Sequence, residues 1–499
     1  MAAIVLQRAP EEPSTVVIVV GSGLAGLSAA YEALKSGATR VCLLDSDLKP
    51  GGNSIKASSG INGAPTQFQK TQDDDKFFDD TVRSAGKRME STVVRRAQRE
   101  ELISTLTNSS KGAIEFLSAL GVDLNVVTQL GGHSVARTHR GHGGAPGAAI
   151  IRALLNKLKE DFGPGKFDLL SGCTVTKLLT SVAPWPVPTI AQRTRVIGVE
   201  YKEADSGRLV SMEGPVIFAT GGFAGDAHGL LAQYRPDLAG LPSTNSPRPG
   251  MHGQLSDVGA QLVDMDSVQI HPTGFVDPAN PLAMCKILAA ELLRGEGGIL
   301  LREGQRFVDE LATREKISNI IMSSDPTPNS DVSGLKQWNV QLVLDAGAAA
   351  AAAKHLEFYV GRGLMRKTKF RDLDPTTKST LKEYSKAVIQ GQDPLGRTYF
   401  GHWELGQDGE WDDEAEVVIG SVTPVTHFTM GGVMIDKSAR VLAKGGNAIP
   451  GLWAAGEITG GLHGDNRLGG SSLLECVVFG RIAGHEAAKA LFAHSPKAL

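Results

Sequence analysis

Long apolar runs are missing from this 499-residue chain. No stretch reaches the roughly 18 to 20 residues that a membrane-spanning helix needs. The first dozen residues carry one arginine and two glutamates, a composition unlike that of a basic transit peptide. We therefore expect a soluble protein of the cytoplasm, in preference to the mitochondrion, without a membrane partner.

A surplus of positive charge is also missing. The chain has 51 Lys and Arg residues against 54 Asp and Glu residues, which gives a formal net charge of -3. Such a balance provides no general basic field for nucleic acid. Any anionic ligand must therefore be held by a local cluster of cationic side chains.

Cysteines and aromatic residues are scarce. The four cysteines are Cys42, Cys173, Cys285 and Cys476, and aromatic residues make up 5% of the chain. The cysteines are far apart and form no Cys-x-x-Cys unit, which disfavours zinc, iron-sulfur and c-type haem sites. We expect no metal.

Glycine, by contrast, is abundant, and part of it forms a dinucleotide-binding fingerprint. The segment Gly21-Ser22-Gly23-Leu24-Ala25-Gly26 lies between an apolar run, 15–20, and a stretch with helical spacing, 24–35. A second apolar run, 40–45, ends in Asp45. In such a βαβ unit the glycines allow the backbone to approach a pyrophosphate, and the acid accepts ribose hydroxyls.

The fingerprint alone does not separate FAD from NAD, because both contain adenosine diphosphate. Two later segments do. Gly451-Leu-Trp-Ala-Ala-Gly-Glu457 resembles the second FAD motif of two-domain flavoproteins, and Ala219-Thr220-Gly221-Gly222 resembles their Ala-Thr-Gly-Gly turn. Three motifs in this order predict FAD.

The pattern of elements predicts an α/β chain of two domains. Residues 1–266 and 428–499 are predicted to form a Rossmann-like FAD-binding domain, interrupted by an inserted α+β capping domain at 267–427. Periodicity predicts helices over 102–120, 147–158, 286–293, 346–353, 378–390 and 471–491, and strands over 215–220 and 340–344. The proline-rich segment 184–188 is predicted to be a loop or a hairpin.

Seven motifs make a more specific resemblance possible. In chain order they are Ala219-Thr-Gly-Gly-Phe223, His271-Pro-Thr273, Glu291-Leu-Leu-Arg294-Gly295, Arg306-Phe-Val308, Thr313-Arg314-Glu315, His427-Phe-Thr-Met-Gly-Gly432 and His463-Gly-x-Asn-Arg467-Leu-Gly-Gly470. Together they resemble the flavoprotein of soluble fumarate reductases, which are kin to the catalytic subunits of succinate dehydrogenase. The resemblance runs from about Thr15 to Ala488.

This resemblance implies the roles of individual residues. Reduced FAD would give a hydride to fumarate, with succinate as the product. Arg467, His427 and His271 would bind the substrate carboxylates. Arg314 would donate the proton, and Glu291 with Arg294, expected on one face of the predicted helix, would pass a replacement proton from solvent. An arginine acid is unusual, because a guanidinium normally stays protonated.

The resemblance also implies the FAD contacts. The implied residues are Gly21, Ser22, Gly23, Ala25, Gly26, Asp45, Asn53, Ser58, Gly60, Asn62, Gly63, Thr220, Gly221, Glu457, Arg467, Ser472 and Leu473. Related flavoproteins that attach FAD covalently carry a histidine after the second βα turn, and residues 51–62 have none. We expect noncovalent FAD.

Two departures from the family pattern matter. Ala290 stands where the bacterial flavocytochrome relatives have a threonine, so one hydroxyl contact to substrate is absent. No second nucleotide fingerprint and no haem or iron-sulfur motif is visible in the sequence. We therefore expect a diffusible reductant, either free reduced flavin or a reductase that uses NADH, and operation mainly as a reductase.

Other readings stay open at this point. The same flavoprotein group contains L-aspartate oxidases, urocanate-type reductases and ketosteroid dehydrogenases. Six tyrosines in all disfavour a broad steroid site, whereas L-aspartate is also a four-carbon dicarboxylate. Outside enzymes, the chain could be a catalytically silent FAD-binding redox sensor, although the acid and carboxylate-binding residues would then be idle.

Overall fold

A computed structural model describes residues 16–70, 73–143, 145–182, 194–289, 292–293, 296–327, 334–407 and 411–492. The chain divides into two compact units. The first contains Met1–Gly222, Met251–Met265 and Met430–Leu499, and the second contains Phe223–Gly250 and Asp266–Thr429. This division differs from the predicted domains mainly at 223–250, which belongs to the second unit.

The described strands are, in chain order, β1 (Val16–Val20), β2 (Arg40–Asp45), β3 (Ile61–Asn62), β4 (Val126–Thr128), β5 (Thr138–Arg140), β6 (Phe167–Ser171), β7 (Cys173–Val182), β8 (Thr194–Glu203), β9 (Leu209–Glu213), β10 (Val216–Phe218), β11 (Leu262–Val263), β12 (Val268–Phe275), β13 (Ile299–Arg302), β14 (Gln305–Arg306), β15 (Val340–Leu344), β16 (Arg366–Lys369), β17 (Glu416–Thr429), β18 (Gly432–Met434), β19 (Arg440–Leu442), β20 (Ala448–Ala454) and β21 (Thr459–Gly460).

The described α-helices are α1 (Leu24–Lys35), α2 (Phe77–Ser84), α3 (Val93–Asn108), α4 (Ser110–Ala119), α5 (Pro146–Asp161), α6 (Leu230–Tyr234), α7 (His252–Asp257), α8 (Arg314–Met322), α9 (Ala346–Ala351), α10 (Ala353–Gly361), α11 (Pro375–Gln390) and α12 (Ser471–Phe492). Among them, none combines the length and the apolar character that crossing a bilayer requires.

The first unit is organised around a sheet of order β19-β20-β10-β1-β2-β6. Strands β6, β2, β1, β10 and β20 run parallel, and β19 is antiparallel to β20. Strand β1 has β2 on one side and β10 on the other, so the crossovers leave it in opposite directions. Ligands of parallel α/β sheets bind at the carboxyl ends of strands near such a switch point.

Helices α1 and α12 pack against each other in the first unit without room for side chains between their backbones. A Cβ on Gly480 would lie 2.5 Å from the Ala25 carbonyl oxygen, and one on Gly484 would lie 2.2 Å from that of Ala29. Both glycines therefore allow a close helix approach that alanine would prevent. This contact places α12 beside α1, the helix that follows the first βα turn.

The second unit contains an antiparallel sheet of order β12-β17-β15-β13-β14, with β16 also paired to β17. Every residue of β12 is buried. Its register against β17 shifts between Gln269 and Ile270 and again between His271 and Gly274. Such bulges redirect side chains and are frequent beside functional sites.

Most predicted elements are confirmed. Helix α1 and strands β2 and β15 have the predicted bounds, and α12 ends one residue beyond its predicted end. The single helix predicted over 102–120 is wrong, because the chain forms α3 and α4 with a break at Ser109. Helices α9 and α10 likewise replace one alanine-rich helix.

The helix predicted over 286–293 is wrong for its described first half. The Lys286 amide donates to Ser243, the Phe275 amide donates to Ile287, and Leu288 bridges Gly274. The segment is thus extended beside β12. Its apolar residues have helical spacing by coincidence, and pairing with neighbouring chain segments overrides that local pattern.

Candidate functional site

The first candidate site lies in the first unit, where β1 turns into α1. Gly21 has φ = 105°, and a Cβ there would lie 2.4 Å from the Ala219 carbonyl oxygen. A Cβ on Gly26 would lie 1.8 Å from the Gly21 carbonyl oxygen. These two glycines are therefore required by the turn itself and by the packing of helix on strand.

Gly23 differs from its neighbours. A Cβ there would have only the Ser54 hydroxyl, 3.8 Å away, within contact distance. Gly23 is also the N-cap of α1 and provides no side-chain cap, although the Leu24 amide donates to Ser54 Oγ at 3.2 Å. An open approach to the N-terminus of a helix fits the pyrophosphate of a dinucleotide.

Asp45, at the end of β2, is held beside this turn. Its Oδ2 accepts hydrogen bonds from the Ser22 backbone amide, at 2.7 Å, and from the Ser22 hydroxyl. Its Oδ1 accepts from the Asp47 amide at 2.7 Å. Oδ2 thus uses both of its lone-pair directions, whereas Oδ1 keeps one, so a ribose hydroxyl can still donate to Oδ1. The carboxylate position therefore suits the adenosine half of FAD.

Three further predicted contacts follow β10 and β20, at the same edge of the sheet. Thr220 has a buried hydroxyl without a hydrogen-bond partner in the described part of the chain. Gly221 has φ = 81°, and nothing lies within 4 Å of its Cβ position. Glu457, two residues after Ala455, is partly exposed. Buried hydroxyls normally have a hydrogen-bond partner, so the Thr220 hydroxyl is suited to bond a cofactor atom.

Ala25 is buried within α1, and the first turn of α12 contains Ser472, partly exposed, with Leu473, buried. Asn53 precedes a short 3-10 turn and accepts from Lys56 Nζ at 3.2 Å, and Ser58 is partly exposed. These placements leave the predicted FAD contacts of the five residues as predictions.

Three of the predicted FAD contacts have structural duties within the protein. The Asn62 side chain donates to the Gly469 carbonyl oxygen and to Ser471 Oγ, and it accepts from the Thr138 hydroxyl. Its amide donors are thus both used, so a side-chain donation to FAD is not expected. Cβ atoms on Gly60 and Gly63 would collide with His139 and Ile114, respectively.

Sequence reasoning missed Ser54, which lies against Gly23 and accepts from the first amide of α1. Serine in a polar loop carries no distinctive signal, so nothing in the sequence singles it out. Arg467, predicted as a ligand of both substrate and FAD, is 4% exposed and donates to the Leu468 carbonyl oxygen at 3.2 Å.

The second candidate site lies in the second unit, on β12 and β17. The rings of His271 and His427 have centroids 5.8 Å apart. His271 is buried and His427 is partly exposed. The two bulges of β12 flank His271. The structure thus brings together two of the residues that the sequence motifs single out for carboxylate binding.

Threonines orient both histidines. The Thr273 amide lies 3.4 Å from His271 Nδ1, and because an amide can only donate, Nδ1 is the acceptor. In the neutral ring the proton therefore lies on Nε2, which becomes a donor. The Thr244 hydroxyl lies 3.0 Å from His427 Nδ1. Thr273 belongs to the His271 motif, but Thr244 carries no signal in the sequence.

Arg314 is the first residue of α8, which packs on β12. The Thr313 hydroxyl caps this helix by accepting from the Lys316 amide at 3.2 Å. The Arg314 Nε is buried and has no hydrogen-bond partner among the described residues. Glu291, Arg294 and Ala290 lie outside the described residues, so their predicted roles stay predictions.

Arg306 belongs instead to a buried ionic cluster. It bonds Glu310 at 2.7 Å and Asp393 at 2.6 Å, and Arg397 also contacts Glu310. Burial opposes charge here, but the hydrogen bonds that Arg306 donates to Glu310 and Asp393 prevail and raise the pKa of Arg306. Arg397 donates to the carbonyl oxygen of Gly298 at 2.9 Å. The cluster fixes the chain within the second unit.

Comparison with known proteins gives a consistent result. The sequence profile of the FAD binding domain family matches residues 16–473. A protein of Schizosaccharomyces pombe named fumarate reductase is 41% identical over 96% of this chain and 90% of its own length. Fumarate reductase 1 of Saccharomyces cerevisiae is 40% identical over 94% of this chain and 97% of its own length.

This chain belongs to the FAD binding domain family. Among solved structures, the open conformation of a flavocytochrome c3 fumarate reductase is similar to this family member, with a TM-score of 0.75 and 30% identity over 96% of this chain and 79% of that one. The predicted Rossmann-like fold and the FAD cofactor are thereby confirmed. In this family member, the residues around Gly23, Asp45 and Thr220 fit the cofactor.

Proposed function

We propose that the chain reduces fumarate to succinate. The observation that carries the proposal is the His271–His427 pair, with ring centroids 5.8 Å apart, in a member of a family whose relatives named above are fumarate reductases. Bound FAD, when reduced, supplies a hydride to one alkene carbon. The chain itself must bind two carboxylates and deliver a proton to the other alkene carbon.

The two histidines act as carboxylate ligands in this proposal. With Nδ1 accepting from Thr273, His271 presents Nε2–H as a donor. His427 contacts the Thr244 hydroxyl through its Nδ1, and because a hydroxyl can donate or accept, this contact orients the ring without fixing which nitrogen carries the proton. Hydrogen bonds to a substrate carboxylate also polarise the double bond, so they strengthen as negative charge develops in the transition state.

In this proposal, Arg467 of the first unit also binds a carboxylate of the substrate. Its guanidinium can bind a carboxylate through two parallel hydrogen bonds, which a lysine cannot do. Its side chain is almost entirely buried, and a buried cation is strongly stabilised by an anionic partner.

Arg314 is the proposed proton donor. It begins α8, which packs on the strand that carries His271. The guanidinium gives up its proton only as carbanion-like charge develops on the substrate. Glu291 and Arg294 then return a proton from solvent. Proton transfer from a positioned group contributes about 10²- to 10⁴-fold to a rate.

We propose noncovalent FAD and a diffusible reductant, either free reduced flavin or an NADH-linked reductase. Precipitation of the protein with acid should release the flavin to the supernatant, whereas covalent flavin would stay in the pellet. Rates with reduced FMN and with NADH plus a reductase, measured at equal flavin loading, would identify the better donor.

The decisive experiment follows the bound flavin under anaerobic conditions. Fumarate added to the reduced protein should reoxidise the flavin rapidly, and succinate should appear in equal amount. The variant Arg314→Ala should bind FAD normally and lose at least about 10²-fold of this rate. Lys316→Ala, an exposed change on the same helix, is the matched control and should keep the rate.

Other outcomes identify other functions. Hydrogen peroxide formed from L-aspartate, without fumarate-dependent reoxidation, would identify an amino-acid oxidase. Full flavin loading without turnover of any dicarboxylate would identify a silent FAD-binding protein. Rapid succinate oxidation with an artificial acceptor would contradict operation mainly as a reductase.

A further inference from the structure

His133, in the glycine-rich segment 131–143, is hydrogen-bonded at both ring nitrogens. Its Nδ1 lies 2.8 Å from Arg137 Nη1, and its Nε2 lies 3.0 Å from the Gly469 carbonyl oxygen. A guanidinium can only donate, so Nδ1 accepts, and Nε2 carries the ring proton and donates to Gly469. The ring therefore links the two residues by accepting a hydrogen bond from Arg137 and donating one to Gly469.

The surroundings keep this ring neutral. His133 is 6% exposed. Burial, with a further contribution from the positive charge of Arg137, lowers the pKa of His133 to about 4, although the Gly469 carbonyl and the nearby carboxylates act in the opposite direction. At neutral pH the ring thus has one donor and one acceptor, which match its two partners.

Arg137 is itself fixed. Its guanidinium donates to Asp74 at 2.7 Å and 2.9 Å and to Asp80 at 2.7 Å, and all three side chains are fully buried. Asp80 also accepts from the amide and the hydroxyl of Ser134, both at 2.8 Å. A buried cluster with these bonds has one arrangement, so it holds His133 in one place.

The far end of the link is the turn that follows Arg467. The Gly469 carbonyl oxygen accepts from Asn62 Nδ2 at 2.8 Å in addition to His133. Gly470 has φ = 82°, and a Cβ there would lie 2.3 Å from Asn62 Oδ1. The backbone two residues beyond Arg467 is thus fixed by two buried donors.

We propose that His133 is a positioning residue for Arg467. By holding the Gly469 carbonyl oxygen, it fixes the turn that directs the Arg467 guanidinium toward a substrate carboxylate. His133 itself does not touch the substrate. The inference rests on the proposed function, in which Arg467 binds one carboxylate of a dicarboxylate.

The first test measures succinate binding to the oxidised FAD-loaded protein, from the change in the flavin spectrum, together with kcat and KM for fumarate. His133→Leu should keep FAD and weaken succinate binding about tenfold, because the Gly469 oxygen loses a donor and Arg137 loses an acceptor. KM should rise more than kcat falls. His133→Asn should recover part of the affinity, since an amide can both accept and donate.

The matched control is His142→Asn. His142 lies in the same glycine-rich segment, but its side chain is 74% exposed and bonds Asp123. Its replacement should leave succinate affinity, kcat and KM unchanged. Equal losses in the His142 and His133 variants would overturn the inference, because they would show a general effect of altering this segment.

A double-mutant cycle separates positioning from a general structural effect. In an Arg467→Lys background, His133→Leu should weaken succinate binding much less than tenfold, because the geometry it protects is already lost. The same fold-change in both backgrounds would overturn the inference. Should His133→Leu not fold, His133→Asn serves in the cycle.

A measurement on the unchanged protein needs no folded variant. Nitrogen NMR of histidine-labelled protein should show His133 neutral at pH 6, with the proton on Nε2. A proton on Nδ1 would overturn the inference. Failure of the proposed function is distinct, since the unchanged protein would then neither bind succinate nor reduce fumarate, whereas unchanged affinity in His133→Leu overturns the inference alone.

Discussion

The FAD cradle of the first unit, which is the turn 21–26 with Asp45 and Thr220, differs from the His271–His427 pair of the second unit in the kind of group that forms it. The cradle consists largely of backbone, and two of its glycines, Gly21 and Gly26, stand where a Cβ would lie 2.4 and 1.8 Å from a carbonyl oxygen, respectively. The histidine pair consists of side chains on a bulged strand, each oriented by a threonine. At Gly21 and Gly26 the backbone site tolerates no added atom, whereas the side-chain site depends on which residue is present and how its neighbours orient it.

The largest expected effect comes from an added side chain in the cradle. Gly26→Val should abolish FAD binding and destabilise the fold, because a Cβ there would lie 1.8 Å from the Gly21 carbonyl oxygen. The flavin absorbance of the purified protein measures the first effect, and thermal unfolding measures the second. Gly112→Ala in α4, where nothing lies within 4 Å of the added atom, is the control and should bind FAD fully. A normal flavin content in Gly26→Val would show that the backbone of this turn can move to accept a side chain, which would contradict the comparison.

A change in the histidine pair should affect catalysis and spare the cofactor. His271→Leu should lower the rate of fumarate-dependent flavin reoxidation about 10²- to 10³-fold, as expected when one donor to developing charge is removed. Its flavin content should equal that of the unchanged protein. His485→Asn, an exposed change on α12, should have no effect on either quantity. Loss of flavin in His271→Leu would mean that the two sites are not separable in this way.

The smallest expected effect concerns the pH dependence of stability. It sharpens the comparison, because His133 is an oriented side chain in the same unit as the backbone cradle. The folded-state pKa of His133 is about 4, below its ordinary value of 6.5, so the unfolded chain binds more protons between these values. The free energy of unfolding therefore rises with pH across this window, and the contribution, at most about 3 kcal/mol, is lost as the pH falls from 6.5 toward 4.

His133→Asn should flatten this dependence between pH 6.5 and 4.5, as measured by urea unfolding at a series of pH values. Although burial opposes ionisation, hydrogen bonds and the charge of Arg137 lower the pKa of the neighbouring Asp74 and Asp80 carboxyl groups, so both stay ionised in the folded protein across that range. His142→Asn is again the control. An equal slope in the unchanged protein and in His133→Asn would show that His133 is not held neutral.

Prediction from sequence succeeded where a local rule applies. The bounds of α1 and β2 and the placement of the first glycine turn follow from β-branched runs, helical spacing and one acid. The same rules misjudged the segment 286–289, which pairs with Gly274 and Ser243, residues that the sequence gives no reason to bring together. Tertiary pairing, not local spacing, decides the structure there.

The candidate residues show the same limit. The motif His271-Pro-Thr273 could be singled out by resemblance, but the orientation of its ring by the Thr273 amide required coordinates. Thr244 and Ser54 carry no pattern at all. Asn62 was predicted to contact FAD, yet its amide joins three parts of the first unit. The residue type alone does not show whether a side chain contacts the cofactor or makes hydrogen bonds within the protein.

The order of strands in the first unit has a consequence for synthesis of the protein. The central strand β1 pairs with β10 near residue 216, and β10 pairs with β20 near residue 452. The parallel sheet is therefore complete only after β20, which ends at Ala454, has left the ribosome. Contacts this distant in sequence slow folding and expose unfinished strand edges, which makes incomplete chains prone to aggregation. Glu457, which follows β20, is therefore the last of the strand-end FAD contacts predicted here to reach its place in the sheet.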